Sequence, residues 1–207
     1  SAYDKLINEL PDYSKKERFK KESAGAILQH YGIKTPWLDL VDNLYTAIWF
    51  ATKKPNGGIQ GNKIEYIESG EKYGGIYFIT TKCNNGSELA CWDLRKAQSS
   101  LSLRLHFQHG ISATRKNTTK WDLKNRCLDD FVVASVKFPI NEKWKLEGPL
   151  FETKHMFPSS EFDSTYNYLK GESFKKLLNS IKKEYRLKKD ELGEVKDYIN
   201  GVHYLIL

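Results

Sequence analysis

Residues 29–51 read QHYGIKTPWLDLVDNLYTAIWFA and contain a helix end, a turn and the start of a second, strongly apolar helix. Pro36 biases Thr35 away from helical geometry, so the chain leaves its first helix near Gly32. From Leu44 onward, Leu44, Ala47, Ile48 and Ala51 recur on one face, with Asp42 or Asn43 placed to cap the new helix. The segment between, IKTPWLDLVDN, is expected to be a loop feeding a buried helix. Gln29, His30, Thr35 and Asp39 therefore stand where a loop docks directly into apolar packing. Polar residues so placed are candidates for a site. The structural alternative, in which Gln29 and His30 bond loop carbonyls and Asp39 braces the next helix, stays open at this point.

Upstream, SKKERFKKESAGAILQH (14–30) places Phe19, Ser23, Ala26, Ile27 and His30 at helical spacing opposite Lys15, Lys16, Lys20 and Lys21. Pro11 precedes it, Ser14 with Glu17 forms a capping box, and Gly32 stops it. Downstream, KKPNGGIQGN is rich in turn residues and KIEYIE alternates, predicting an exposed loop followed by a strand or edge ribbon. GGIYFITTK, SLSLRLHF and DFVVASVKFP are three further strand signals, the last ended by Pro139. Between them ELACWDLRKAQ and KNTTKWDLKNRCLDD suggest short helices or structured loops. Past Pro139 the pattern is helical, interrupted by Gly171 and Gly193, and NGVHYLIL alternates as a short closing strand. Strands in the middle with helices on both sides predict one α+β domain over residues 1–207, a small antiparallel or mixed sheet flanked by helices.

The 207 residues are 40% apolar and 29% charged, an ordinary globular composition that argues against a disordered chain. With 33 basic against 26 acidic side chains the net charge is +7, which permits a polyanionic partner without requiring one. No run approaches the roughly 18 apolar residues of a membrane span, so no membrane association is expected. Cys83, Cys91 and Cys127 are too few and scattered for a disulfide framework, which fits a cytoplasmic location. The only methionine is Met156, so Ser1 is not expected to be a translation start, and removal of either an initiator residue or a whole preceding segment is expected.

Glycine-rich phosphate signatures are absent, and the five histidines have no metal-ligand spacing, so no metal is expected. A second polar cluster lies at Arg104-Leu105-His106-Phe107-Gln108-His109-Gly110. Read as a strand, it puts Arg104, His106 and Gln108 on one face, against either solvent or a cleft.

At these residues the chain resembles the FRG domain family, a bacterial and phage-associated module named for a Phe-Arg-Gly motif. The family pattern runs Gln-His-aromatic-Gly, Pro-Thr-Arg-Leu-Leu-Asp-Trp-Thr, Asn-Pro and Ala-x-x-Phe-Ala. Gln29, His30, Tyr31, Gly32, Thr35, Leu38, Asp39, Asn43, Ala47, Phe50 and Ala51 stand in that order and spacing. SLRLHFQHGISAT resembles the family's Arg-Ile-x-x-Gln-x-Gly segment through Arg104, Leu105, Gln108 and Gly110. HMFPSSEFDSTYNYL resembles a later segment through Phe157, Pro158 and Tyr168. The resemblance covers about residues 15–170 and leaves a helical extension, about 171–207, unexplained. The Phe-Arg-Gly motif is not present, Pro36 replaces the family Arg, and Leu40-Val41 replace Trp-Thr.

The family's order of elements is similar to that of ADP-ribosyltransferases. The resemblance thus implies an NAD site and an ADP-ribosyltransferase or NAD glycohydrolase activity, in the manner of a toxin or anti-phage effector acting on a protein or nucleic-acid acceptor. It implies that Gln29, His30, Tyr31, Thr35 and Asp39 contact the cofactor, with His30, Arg104 and Gln108 in catalytic positions. Gln108 stands where such enzymes often carry a Glu. The alternative is a non-catalytic module. It would bind nucleic acid through the Lys15 to Lys21 face and the tail residues Lys175, Lys176, Lys182, Lys183, Arg186, Lys188 and Lys189, or recognise a protein or small effector without turnover.

Overall fold

The structure is a computed structural model that describes residues 17–31, 33, 35, 37–56, 65–83, 86, 88–98, 100–116, 128–141, 148, 151–184 and 205–206. The chain opens with α1 (Glu17–His30), then β1 (Leu38–Val41), α2 (Leu44–Thr52), β2 (Lys53–Asn56), β3 (Glu65–Glu68) and β4 (Tyr73–Ile79). Next come β5 (Leu89–Asp93), α3 (Leu94–Ala97), α4 (Leu103–Phe107), β6 (Gly110–Arg115) and, after a 3-10 turn at Asp129–Phe131, β7 (Val132–Pro139). Three helices follow, α5 (Thr153–Met156), α6 (Ser164–Lys170) and α7 (Glu172–Glu184), and then β8 (Leu205–Ile206). This is the α+β organisation expected from the sequence.

The strands form a six-stranded sheet ordered β5-β6-β1-β8-β4-β7, with β2 and β3 pairing separately. β8 runs parallel to both β1 and β4 and joins the two halves, while the other neighbours are antiparallel. The closing alternation therefore does form a strand, at the centre of the sheet. Val202 and Tyr204 lie outside the described residues, as do Ser14, Lys15, Lys16 and Gly193.

Three corrections follow. Leu38–Val41 is a strand, not part of a loop, and carries Asp39 at its centre. The stretch before α3 pairs as β5 with β6, so ELACWDLRKAQ is strand then helix. SLSLRLHF is not a strand: Leu103–Phe107 is a helical turn, and the strand begins only at Gly110. Its alternation is matched equally well by a short helix burying Leu105 with Arg104, and five residues are too few for periodicity to decide. His109, with φ of 50°, is the left-handed residue that turns the chain from α4 into β6.

The core divides by layer. α1, α6 and α7 bury Ile27, Leu28, Tyr31, Leu169, Phe174 and Ile181 together with Leu94 and Leu105. α2 is capped by Asn43, whose side chain accepts the Thr46 N–H, and buries Ala47, Ile48, Trp49 and Phe50 against Val41, Ile76 and Phe138. At Gly74 on β4 an added Cβ would stand 2.7 Å from the Phe138 ring. Gly74→Ala is expected to cost about 1–3 kcal/mol in urea unfolding by overpacking this joint; an unchanged midpoint would show that the ring has room to move. No helix among the described residues is long and apolar enough to cross a membrane.

Candidate functional site

β1 pairs with β6 so that Asp39 faces Ser112 across the ladder and Val41 faces Gly110. The two-residue alternation of β1 turns Leu40 into one core layer and Asp39 toward α1. α1 ends at His30, whose ring packs on Gly110: a Cβ there would lie 3.2 Å from His30 Cε1. His30 Nδ1 stands 3.5 Å from Asp39 Oδ1, and the Ser112 hydroxyl donates to that same oxygen at 3.0 Å. Neither His30 ring nitrogen nor Asp39 Oδ2 has a hydrogen-bond partner among the described residues.

One residue further along, Tyr31 is fully buried and its hydroxyl donates to the Asp163 carboxylate at 2.9 Å. Asp163 also accepts the backbone N–H groups of Arg104 and Tyr166, each at 2.7 Å, the latter as the N-cap of α6. Burial pushes the Asp163 carboxyl above its ordinary pKa, opposed by the Arg104 N–H, the Tyr31 hydroxyl, and the charges of Arg104 and His30. The Tyr31 phenol is pushed well up by burial and then by the neighbouring carboxylate, so it stays protonated.

Arg104 is 1% exposed, and its guanidinium lies 4.5 Å from the Tyr166 ring, 4.9 Å from Tyr31 and 5.3 Å from Phe157. Its Nε and Nη1 are unpartnered among the described residues. Because α4 is helical, Arg104 and Gln108, four apart, share the buried side, while His106 is partly exposed. Gln108 donates to the Met156 carbonyl at 2.5 Å, and its Oε1 has no partner among the described residues.

The loop beginning at Gln29 and the segment ending at Gly110 thus meet in space, their junction formed through His30 and Gly110, with His30, Tyr31, Asp39, Arg104 and Gln108 each closed into the surrounding packing at 2% exposure or less rather than lining an open crevice. Gln29 and Thr35 do something else. Gln29 Oε1 accepts from the Thr35 N–H at 2.8 Å and its hydroxyl at 3.1 Å, and the hydroxyl in turn accepts the Trp37 N–H. They hold the turn between α1 and β1. Of the lysines read as a basic surface, Lys175, Lys176 and Lys183 are exposed, and the side chains of the others lie outside the described residues.

Sequence reasoning missed several members. Asp163 was legible only as a helix cap, from its position ahead of Ser164 and Tyr166. Ser112 and the group at the nearby sheet end carried no signal. At that end, Asp42 follows β1, Asp93 closes β5 and His109 precedes β6. Arg95 links them, bonding Asp93 at 2.8 Å and 3.0 Å and Asp42 at 2.6 Å and 3.1 Å. Those two carboxylates raise the Arg95 pKa further, the Asp93 hydrogen bond most. Lys96 lies 3.5 Å from Asp93. The described residues contain no group of three His, Cys, Asp or Glu side chains suited to a metal ion.

Fold and junction together define an α+β domain with a buried polar centre between its first helix and its sheet. Residues 2–58 match the family model of the FRG domain, the family whose pattern runs from Gln29 to Ala51. No curated protein and no solved structure matches the chain.

Proposed function

We propose that this FRG-type domain binds NAD at the His30–Asp39–Arg104–Gln108 junction and is an ADP-ribosyltransferase-like protein, with a protein or nucleic-acid acceptor, of the toxin or anti-phage effector kind. One observation carries the reading. Two segments some seventy positions apart bring together polar atoms with no hydrogen-bond partner among the described residues: both His30 nitrogens, Asp39 Oδ2, Arg104 Nε and Nη1, and Gln108 Oε1. A buried polar group without a partner costs about 1–3 kcal/mol, and a domain that only needed to fold would gain from apolar side chains there.

The set suits a nucleotide. A guanidinium complements phosphate charge, while a carboxylate and an amide oxygen accept ribose hydroxyls. Cleavage of the nicotinamide–ribose bond develops positive charge on the sugar, which the Asp39 carboxylate would steady. Gln108 positions without charge. Because these atoms are buried, binding requires local opening at the junction.

Thermal unfolding with and without NAD tests this. Ligand at a hundredfold over Kd adds about 2.7 kcal/mol, a rise of roughly 5–10 °C for a domain of this size. Free nicotinamide or an ADP-ribose adduct in mass spectrometry is the accompanying result. An unmoved melting temperature with neither product overturns the reading. Salt-steep nucleic-acid binding in its place would favour the non-catalytic module.

A further inference from the structure

We propose that the face of β4 and β7 turned away from α2 is a platform for a single-stranded nucleic acid, with Tyr73 and Tyr77 stacking on bases and Lys72 and Lys137 meeting phosphates. This goes beyond the NAD reading and does not rest on it, because the platform lies on the opposite side of the sheet from Asp39. Strand alternation creates the two sides. Ile76 and Phe78 pack in the α2 layer, as does Val41, two residues on from Asp39. Tyr73, Gly75 and Tyr77, which alternate with them along β4, are all exposed.

Three features build the platform. Tyr73 and Tyr77 are 46% and 40% exposed and stand four residues apart, about 13 Å along a strand. Gly75 keeps the floor between them open: a Cβ added there would meet only the edge of the Tyr77 ring, at 3.8 Å. Across the ladder Lys137 faces Gly75 and Ser135 faces Tyr77, and both are exposed. Lys137 Nζ lies 4.5 Å and Lys72 Nζ 5.6 Å from the centre of the Tyr73 ring, which sets two ammonium groups at one end of the platform. Neither Tyr73–Ile79 nor Val132–Pro139 contains an Asp or Glu to oppose them.

Charge and shape together select the partner. Phosphate complements the ammonium groups, and a tyrosine face is a stacking surface for any base. An acidic peptide would satisfy the lysines but leave the rings and the open floor unused. Stacked bases lie about 3.4 Å apart along one strand, so neighbouring bases seated on the two rings are pulled out of their own stack. A duplex hides those base faces, and an unpaired strand presents them to aromatic side chains. The flexible lysine stem lets each ammonium leave the Tyr73 ring for a phosphate as a base takes its place.

Fluorescence anisotropy with the full chain and short labelled oligonucleotides of mixed sequence, as DNA and as RNA, tests this. A single strand is expected to bind more tightly than the same sequence as a duplex. Tyr73→Ala and Tyr77→Ala should each weaken that binding about 5- to 150-fold, the equivalent of one lost base–aromatic stack, whereas Tyr73→Phe and Tyr77→Phe keep the ring face and most of the affinity. Gly75→Val should also weaken binding, by filling the floor while both rings and both lysines stay and valine suits the strand. Lys72→Gln and Lys137→Gln should each flatten the slope of log affinity against log salt by about 0.7. Binding of neither single strand, equally tight binding of the duplex or of inorganic polyphosphate, or undiminished binding by Tyr73→Ala and Tyr77→Ala overturns the proposal. The NAD-dependent melting shift should be the same in all these variants, and its absence from the wild type would leave the platform standing.

Discussion

Asp163→Ala is expected to lower folding stability by about 3–5 kcal/mol in urea denaturation, among the largest losses of any single substitution in this chain. The carboxylate is fully buried and receives the Tyr31 hydroxyl from the end of α1, the Arg104 N–H from α4 and the Tyr166 N–H from α6. Truncation strands all three donors, at about 1–3 kcal/mol for each one left unsatisfied, and removes a carboxyl that interacts with the Arg104 charge. These terms share partners and will not add fully. A loss below about 1 kcal/mol would mean that other acceptors take over the donors.

The same group makes stability depend on pH with a definite sign. Burial raises the Asp163 carboxyl in the folded state, so between the ordinary value of about 3.9 and its raised folded value the native state holds more protons than the unfolded one. Stability from this group is complete below the ordinary value and declines as pH rises through the folded one. Asp93 has the opposite sign, because its burial is outweighed by its bonds and charge pairing with Arg95. The Asp163 contribution is therefore read from wild type minus Asp163→Asn, a difference expected to slope downward with pH across that window. A flat difference would show that the carboxyl titrates normally.

How much of this was legible depends on which interaction set each element. α2 was visible because Leu44, Ala47, Ile48 and Ala51 repeat at helical spacing, and β4 and β7 because β-branched and aromatic residues cluster between turn signals. β1 was not. Its four residues are too few to show a period, and a tryptophan, a proline and an aspartate crowd the stretch that contains it. It is a strand because β6 on one side and β8 on the other complete its ladder, and β8 comes from the last three residues of the chain. α4 was misread for the converse reason: its alternation is real, but tertiary burial of Leu105, Arg104 and Gln108 decides in favour of a helical turn. Of the site, the first arm was legible through its family pattern. Asp163 and Ser112 reach the junction by topology alone, across 132 and 73 positions.

Arg104→Met separates the two purposes a buried arginine can serve. Methionine is of similar length and keeps contact with the three rings, and the backbone N–H of residue 104 still bonds Asp163. What disappears is a desolvated cation, two of whose nitrogens have no hydrogen-bond partner among the described residues. Cation–π attraction returns about 2 kcal/mol at best in a desolvated setting and the Asp163 carboxyl adds charge attraction, together set against a desolvation penalty of several kcal/mol per buried ion. On those magnitudes the guanidinium's net contribution to the fold is small, and Arg104→Met should be within about 1 kcal/mol of wild type. The NAD-dependent rise in melting temperature should vanish in the same variant, because no cation remains to meet phosphate. A loss of more than about 3 kcal/mol without ligand would make Arg104 a structural residue, and a full NAD response in Arg104→Met would place the phosphates elsewhere. Only a residue kept for its ligand gives the expected combination, an undiminished fold together with a lost response.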